Sequence, residues 1–412
     1  MADILAAAHP NLAGRRPTTG LRTLTLISAA HWVSHFHILV LPMLFPFLTR
    51  ALGVDYVGLG FALTVFAVVS ALTQAPIGYL VDHFGARKVL LIGLCIGGLA
   101  LVVLGLRLNY AMLIASAALL GLANSVYHPA DYAILATHMG EAKMGRAFSI
   151  HTFAGYLGSA LAPVIVAALV SGFGGAGALI ASGAIAIVVA LTLMVFGLPD
   201  ASAKHHHGAD GQRPGNSIIT TALMVLTLFF MLLGLSSAGI SSFGVVALMS
   251  GYGASFSTAN VALTAYLGAA AVGVLAGGVL ADRITRHDQV AAICFGINAG
   301  IVLLIALVTL PPVVLLIAMT AAGFLGGMIA PSRDMLVRNA APPGAAGRAF
   351  GIVSTGFNFS GMLSPLLFGW IMDQNLPRWV FGVSALFMIL TVVLAPLTER
   401  KADVEPVPAA TT

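Results

Sequence analysis

Long apolar segments separated by short polar ones run along the whole chain. Most of these segments are about 20 residues or longer, the length at which an α-helix crosses a hydrocarbon core roughly 30 Å thick. The pattern therefore predicts twelve membrane-spanning helices. Their predicted limits are 22–49, 56–81, 88–107, 110–137, 146–170, 175–197, 218–250, 255–281, 288–309, 312–337, 347–371 and 377–397.

The composition agrees with a chain that is surrounded by lipid. Hydrophobic residues make up 59% of the 412 residues and charged residues 8%, whereas a soluble domain carries about 25% charged residues. A soluble protein is excluded, because so few charges cannot cover its surface. The 46 glycines suit helices that pack closely in a bilayer, where small residues let backbones approach. We expect an all-α, multi-pass protein of a bacterial-type inner membrane.

Positive charges concentrate on one side of the predicted membrane. With the N-terminus inside, only Arg50, Arg107 and Arg378 fall outside, and the other Lys and Arg residues lie on or near the inner side. This asymmetry follows the positive-inside rule and predicts that both termini are cytoplasmic. The first 20 residues lack the apolar core of a secretory signal, so we interpret them as a cytoplasmic tail. The net charge of +5 thus orients the protein, and we expect lipid but no nucleic acid as a partner.

The two halves of the chain repeat each other at an offset near 202 residues. Residues 128–163 match residues 330–365, with Pro129 aligned to Pro331, the run GRAF at 145–148 aligned to the same run at 347–350, and Pro163 aligned to Pro365. The repeat predicts two pseudo-symmetric halves of six helices each, 1–199 and 218–412. The polar stretch 200–217 between them reads as a cytoplasmic linker.

Metal and cofactor chemistry finds little support in the sequence. His205, His206 and His207 lie together in the linker, and we interpret them as solvated residues of a loop. The two cysteines, Cys95 and Cys294, lie in predicted spans, where they read as packing residues, and no CxxC motif is available. We expect no metal and no cofactor.

A short loop motif follows the second predicted span. The stretch GYLVDHFGARKVLL, residues 78–91, resembles the loop motif of the major facilitator superfamily, and a weaker copy, GGVLADRITRH, stands at 277–287. Glycine permits close helix approach, and an aspartate near a helix N-terminus is favoured by the helix dipole. The resemblance implies the major facilitator fold, with alternating access around a central cavity. The residues that we expect to act in conformational gating are Gly78, Asp82, Arg87, Lys88, Asp282 and Arg283.

A narrower resemblance involves the first half. The stretches HWVSHFHILVLPMLFP (31–46), GLANSVYHPADYAI (121–134) and GRAFSIHTFAGYLGSALAP (145–163) are similar to the fosmidomycin-resistance branch of that superfamily. The resemblance implies proton-driven export of small, anionic or antibiotic-like compounds. Two positions depart from the branch: His35 stands where its members tend to have an acidic residue, and His-Pro-Ala-Asp at 128–131 stands where they read His-Pro-Glu.

Ionisable residues inside spans are costly and therefore mark functional sites by default. His31 and His35 share one helix face, and His128, Asp131 and Tyr132 share another. Arg333 is the repeat mate of Asp131, and we expect the two to meet when the cavity is closed on the cytoplasmic side. The alternative for His128, Asp131 and Arg333 is a structural ion pair. The predicted substrate or proton site comprises His31, His35, His128, Asp131, Tyr132 and Arg333.

Other polar residues in the spans have simpler interpretations. We expect His37 to be a packed or interfacial histidine, since it points away from the face of His31 and His35. His151 and Arg338 lie near the predicted cytoplasmic boundary, where snorkelling explains them. Serines of the seventh span, Ser236, Ser237, Ser241 and Ser242, either face the substrate or bond their own helix.

Function classes other than transport have little support in the sequence. No HExxH, GxSxG or GxxxxGK[ST] motif is present, so the usual metalloprotease, serine hydrolase and ATP-driven chemistries are missing. A membrane enzyme with an unrecognised site and a channel remain as rivals, and neither explains the duplicated loop. The sequence predicts a monomeric proton-coupled exporter of a small organic anion or antibiotic-like compound, with a proton-coupled importer of a small organic acid as the alternative.

Overall fold

The computed structural model describes residues 17–139, 141–200, 220–284, 286–341 and 346–395. Within these ranges the chain forms helices and no strand. Most of the predicted linker, including the three histidines, lies outside them. The helices are α1 (Pro17–Met43), α2 (Phe45–Leu52), α3 (Tyr56–Phe84), α4 (Ala86–Leu106), α5 (Tyr110–His138), α6 (Glu141–Val195), α7 (Thr221–Tyr252), α8 (Phe256–Ala281), α9 (His287–Leu307), α10 (Pro312–Ala340), α11 (Ala346–Asp373) and α12 (Trp379–Leu394).

The helices follow the predicted spans closely, with two differences in how they are divided. The first predicted span becomes α1 and α2, since Pro46 at the start of α2 has no N–H to continue the ladder of hydrogen bonds. The fifth and sixth spans run together as α6, whose helical path is broken at Gly174, with φ 69° and ψ 176°. Nine of the described helices are long and apolar enough to cross a membrane. The all-helical fold predicted from the sequence is confirmed.

Each half forms its own bundle. In the first half α1 packs on α6, α3 packs on α5, and α4 packs on both α5 and α6. In the second half α8 packs on α10, α7 on α11 and α12, and α9 on α10 and α12. The halves meet mainly where α3 lies against α11 and where α6 lies against α8.

The repeat has a slightly different offset in its early and late parts. Helix α3 begins at Tyr56 and α8 at Phe256, an offset of 200, whereas α5 begins at Tyr110 and α10 at Pro312, an offset of 202. The offset of 202 therefore relates the late helices of each half, which include Asp131 and Arg333.

Hydrogen bonds tie the halves together at the end where α3 begins. Both carboxylate oxygens of Asp373, the last residue of α11, accept backbone N–H groups of α3, from Tyr56 at 2.8 Å and from Val57 at 2.8 Å. Two turns further along, the Thr64 hydroxyl donates to the carbonyl oxygen of Met362 at 2.9 Å. A Cβ at Gly60 would lie 2.3 Å from the carbonyl oxygen of Pro365. The two backbones are thus in direct contact at this end.

The same two helices separate toward the loop between α3 and α4. Gly78 of α3 and Gly351 of α11 would lie near each other if the antiparallel contact continued, yet a Cβ at either meets no heavy atom of the described residues within 4 Å. Gly78 was expected to permit close helix approach, and in this conformation it does not, because α3 and α11 have diverged before they reach it. Because the described contacts between α3 and α11 lie near Tyr56 and not at these glycines, we call the end near Tyr56 the closed end and the end near Gly78 the open end.

Candidate functional site

Three buried ionisable side chains meet in the first half, where α1, α5 and α6 pack together. Asp131 of α5 is 0% exposed, His151 of α6 is 0% exposed and His31 of α1 is 3% exposed. The Asp131 Oδ2 lies 3.5 Å from His151 Nε2 and 3.8 Å from His31 Nδ1. The His31 and His151 rings are stacked, with centroids 4.0 Å apart. We call these three residues the buried triad.

Three more of the predicted residues surround the buried triad. The ring of His31 lies 4.7 Å from that of His35 and 5.1 Å from that of His128, measured between centroids. Tyr132 lies 5.6 Å from His128 and is partly exposed. The structure therefore brings together five of the six residues predicted for the substrate or proton site, and leaves Arg333 apart from them.

Glycines of α6 make this close arrangement possible. A Cβ at Gly155 would lie 2.6 Å from His31 Nε2 and 2.9 Å from His35 Cδ2. One turn on, a Cβ at Gly158 would lie 2.3 Å from the carbonyl oxygen of Trp32. Because neither position has room for a side chain, α1 can approach α6 closely enough for its histidines to reach Asp131.

His151 was interpreted as a snorkelling residue at the membrane boundary, and that interpretation is wrong. Helix α6 begins at Glu141, so His151 lies ten residues, or ~15 Å, along the helix and points at Asp131. A signal was present in the sequence, since His151 is an ionisable residue inside an apolar span. His37, in contrast, is buried as expected and is bonded through Nε2 to the carbonyl oxygen of Ser182 at 3.1 Å.

Most polar atoms of the buried triad lack a hydrogen-bond partner among the described residues. Both carboxylate oxygens of Asp131, Nδ1 of His31 and both ring nitrogens of His151 lack a hydrogen bond to any residue that the structure describes. Burial of an ionised carboxylate costs several kcal/mol unless a charge or hydrogen bonds compensate it. A proton placed on Asp131, or on an imidazole beside it, removes much of that cost. The site is therefore suited to hold a proton.

The same donors would also suit a metal ion. The ligand atoms of His31, Asp131 and His151 all lie within 4.8 Å of one another, and two imidazoles with a carboxylate form a common set for divalent transition metals. The absence of a metal cofactor thus stays a prediction from the sequence.

A central cavity of about 350 Å³ lies between the halves, next to His35. From the first half it is lined by His35, Tyr156 and Ser159, and His35 Nδ1 lies 3.2 Å from the Ser159 hydroxyl. From the second half it is lined by residues that include Ser236, Ser237, Ser241, Tyr266, Arg333 and Phe357. The three serines line the cavity and donate to carbonyl oxygens of their own helix, so they do bond their own helix, and their contact with a substrate stays a prediction.

Arg333 is the one formally charged side chain among the described residues that line this cavity. Its Nε donates to Asp334 Oδ1 at 2.8 Å. Its guanidinium carbon lies 4.9 Å from the ring centroid of Phe230 and 5.3 Å from that of Phe357. In this conformation Arg333 pairs with its neighbour Asp334, and its meeting with Asp131 stays a prediction for the state that is closed at the other end.

The residues predicted to act in gating lie at the open end of the molecule. Asp82 and Lys88 are exposed and Arg87 is half-buried. Gly85 adopts φ 93°, and its lack of a side chain lets Asp200 come close enough to accept the backbone N–H of Arg87 at 3.1 Å. Asp200, which the sequence did not single out, therefore joins the start of the linker to the first turn of α4.

The second copy of the loop is similarly exposed. Asp282 is the C-cap residue of α8, and Arg283 follows it in a turn. Their role in gating stays a prediction.

The chain resembles known proteins over nearly its whole length. It matches the family model of the Major Facilitator Superfamily over residues 27–245 and 226–411. It is 25% identical to the fosmidomycin resistance protein of Escherichia coli strain K12 over 399 residues, which cover 93% of this chain and 95% of that protein. It is 27% identical over 367 residues to the probable sulfoacetate transporter SauU of Cupriavidus necator, with 82% of this chain and 84% of that protein covered.

Solved structures give the same fold. A bacterial homologue of the human lysosomal transporter Spinster, captured in an inward-facing and occupied conformation, superposes with a TM-score of 0.79 at 16% identity, covering 96% of this chain and 100% of that one. A variant of the nucleoside transporter NupG superposes with a TM-score of 0.75 at 16% identity, covering 92% and 100%.

Proposed function

This chain belongs to the Major Facilitator Superfamily, and we propose on that basis that it is a proton-coupled transporter that exports a small organic anion or an antibiotic-like compound by alternating access. It is a multi-pass membrane transporter and not an enzyme. The observation that carries the proposal is the central cavity, which has a cationic residue on one wall and the buried triad behind the opposite wall.

Arg333 supports an anionic substrate. Its guanidinium lies over two aromatic rings and is largely buried, and such a group interacts strongly with anions because little water screens it. Asp334 holds one edge of the guanidinium, which leaves its remaining donors for a substrate carboxylate, sulfonate or phosphonate.

Proton coupling is supported by the path from the buried triad to the cavity. His35 links the two, since its ring contacts His31 of the buried triad and it lines the cavity wall. Histidine changes charge near neutral pH, with an unperturbed pKa of ~6.5. A proton on Asp131 or a neighbouring imidazole can therefore reach the cavity through His31 and His35. Movement of that proton would alter the field that a bound anion meets beside Arg333.

The direction of transport is proposed as export. The relative from Escherichia coli is a resistance protein, and resistance fits removal of a toxic compound. The second candidate is import of a small organic acid, which the relationship to a probable sulfoacetate transporter favours. One alternating cycle runs either way under the gradients supplied.

Orientation and assembly are part of the proposal. We place both termini and the linker in the cytoplasm on the charge asymmetry, which makes the closed end, near Tyr56, periplasmic. The gating loops then lie on the cytoplasmic side, and the protein acts as a monomer. Labelling of a tag in residues 201–217 by an impermeant reagent added from the periplasm would contradict this orientation.

Transport assays in vesicles of known orientation test the proposal. A panel of small carboxylates, sulfonates and phosphonates is offered with and without an imposed proton gradient. We expect at least one anion to accumulate only when a proton gradient is imposed. The direction of that gradient should be the one that drives export from the cytoplasm. Accumulation in the opposite direction would select the importer, and accumulation that ignores the gradient would contradict proton coupling.

A further inference from the structure

A recess of the central cavity extends into the second half. It is lined by Phe295 and Asn298 of α9, Gly326 of α10 and Met388 of α12. The recess is apolar except for the amide of Asn298. These lining residues belong to the second half of the chain, whereas the buried triad lies in the first half.

Asn298 has no structural partner that accounts for its burial. Its side chain is 0% exposed, and neither Oδ1 nor Nδ2 has a hydrogen-bond partner in the part of the chain that the structure describes. A buried amide without a partner is destabilising. Leucine would fill the same volume without this cost, so the amide of Asn298 calls for a polar partner that the described residues do not supply.

One glycine of α10 lies directly beside the amide of Asn298. A Cβ at Gly323 would lie 1.9 Å from the carbonyl oxygen of Tyr266, and a Cβ at Gly327 would lie 2.0 Å from that of Ala270. These two glycines are required by the packing of α10 on α8. Gly326 differs, since the nearest atom to its Cβ position is Asn298 Nδ2 at 3.4 Å. Helix packing does not demand glycine there, and a methyl group at this position would lie directly against the amide.

The recess and the cationic wall are placed to bind one molecule. Gly326 and Arg333 are seven residues apart on α10, which is two turns of one helix face and ~10 Å of rise. Apolar side chains that line the same cavity, Phe295, Phe357 and Met388 among them, lie around this path. An elongated molecule with an anionic end and a distant polar group matches this arrangement.

We infer that Asn298 is a specificity-determining residue, which binds a neutral polar group of the substrate while Arg333 binds its anionic end. The substrate class is thus an organic anion with an apolar body and a hydroxyl, amide or carbonyl group at the far end. The inference rests on the proposed function, because it takes Arg333 as the anion site.

Binding of three sulfonates to the purified full-length protein tests the inference. The probes are methanesulfonate, pentanesulfonate, and pentanesulfonate with a terminal hydroxyl group, whose charge does not change with pH. In the unmodified protein we expect the hydroxylated probe to bind about 3- to 10-fold more tightly than pentanesulfonate, the range for one added hydrogen bond. In Asn298→Leu we expect this preference to vanish while pentanesulfonate binds as before. Arg333→Gln should weaken all three probes.

Two further variants separate the recess from general damage. Gly326→Ala places a methyl group directly against the amide and should also remove the hydroxyl preference. Gly296→Ala, on the exposed side of α9 where a Cβ meets no atom within 4 Å, should retain it. Asn298→Leu should unfold at the same temperature as the parent or higher, because it replaces an unpartnered polar group.

A hydroxyl preference that survives in Asn298→Leu overturns the inference and leaves the proposed function standing. Failure of all three probes to bind the unmodified protein contradicts the anion site and the inference with it.

Discussion

Asp131 is surrounded by imidazoles rather than by a permanent cation. Its carboxylate contacts His31 and His151, and His128 lies one turn away on its own helix. A permanent partner such as arginine would hold the carboxylate ionised, whereas histidine can accept or release a proton at physiological pH. The charge of the cluster can therefore change during a transport cycle, which is what a coupling site requires.

Substitution of the histidines by glutamine tests proton carriage. His31→Gln, His35→Gln, His128→Gln and His151→Gln keep a hydrogen-bonding side chain that cannot become charged. We expect at least one of them to lose gradient-driven accumulation of substrate while it keeps exchange of substrate for substrate, because exchange needs no net proton movement. Both activities are measured in proteoliposomes.

His37→Gln is the matched control for this series. His37 lies on α1 with His31 and His35, is buried like His31 and bonds Ser182 outside the cluster, so its variant should keep accumulation. The histidines are not the proton carriers if all four cluster variants accumulate substrate with the pH dependence of the parent.

The sequence indicated most of this cluster but not its geometry. Spacing placed His31 with His35 and His128 with Asp131 on shared helix faces, because residues three and four apart on a helix are neighbours. It gave no sign that Gly155 would bring α1 against α6, nor that His151 would reach Asp131, since both depend on how three distant segments pack. Arg333 was expected beside its repeat mate, yet a chain alternating between states shows only one set of contacts at a time.

Gly155 connects the packing of helices to the chemistry of the site. A methyl group there would overlap His31 Nε2, at 2.6 Å, and push the ring from Asp131. We expect Gly155→Ala to destabilise the protein by about 1–3 kcal/mol, as overpacking does, and to reduce accumulation more than exchange. Gly172→Ala on the same helix, where a Cβ meets nothing within 4 Å, is the control for thermal unfolding and transport. Equal stability and coupling in both variants would show that the close approach of α1 and α6 is unimportant.

Helices α3 and α11 carry a matching aspartate at each C-terminal end. Asp373 of α11 accepts two N–H groups at the start of α3, where the helix dipole also favours a negative charge. Asp82 stands near the end of α3 and is exposed in this conformation. The antiparallel arrangement suggests that each aspartate stabilises closure of one end, so we predict that the two act in alternate states.

Removal of the Asp373 carboxylate should favour opening of the end at which α3 begins. Hydrogen bonds to a charged group contribute about 1.5–3 kcal/mol each, so Asp373→Ala is expected to raise the population of that state about tenfold or more, read from cysteine accessibility near Thr64. Asp55→Ala is the control, since Asp55 caps α3 at Gly58 from within the same half. Asp82→Asn should shift the population the other way and impair turnover more than substrate binding. If cysteine accessibility near Thr64 is the same in Asp373→Ala and in Asp55→Ala, Asp373 does not stabilise closure of that end.

The whole molecule is the level at which sequence reasoning was most successful. Hydropathy located the spans because lipid allows so few alternatives to a helix, and the repeat revealed two halves because each bundle folds in the same way. The conformational state was beyond prediction, since both states of an alternating transporter are encoded by one sequence and differ by a few kcal/mol.

Disulfide crosslinks test the state seen here. A Cβ at Gly361 would lie 3.6 Å from the Cβ of Ala67, within the range of a disulfide, so Ala67→Cys with Gly361→Cys should crosslink in the resting protein after Cys95 and Cys294 are replaced. Gly78→Cys with Gly351→Cys should crosslink only in the other state, when the end that contains these two residues closes. Each crosslink should abolish transport, and reduction should restore it. Ready crosslinking of the second pair and none of the first in the resting protein would contradict the conformation described.

The claim that a proton moves with the substrate is decided by measuring proton flux itself. Proteoliposomes that contain a pH-sensitive dye are given an outward or inward gradient of the anion that the vesicle panel identifies, with no initial pH difference. We predict that the substrate gradient alone drives a pH change in the unmodified protein. In Asp131→Asn we predict that this change disappears while substrate exchange continues. Substrate flux without any pH change in the unmodified protein, or an unaltered pH change in Asp131→Asn, would contradict the account.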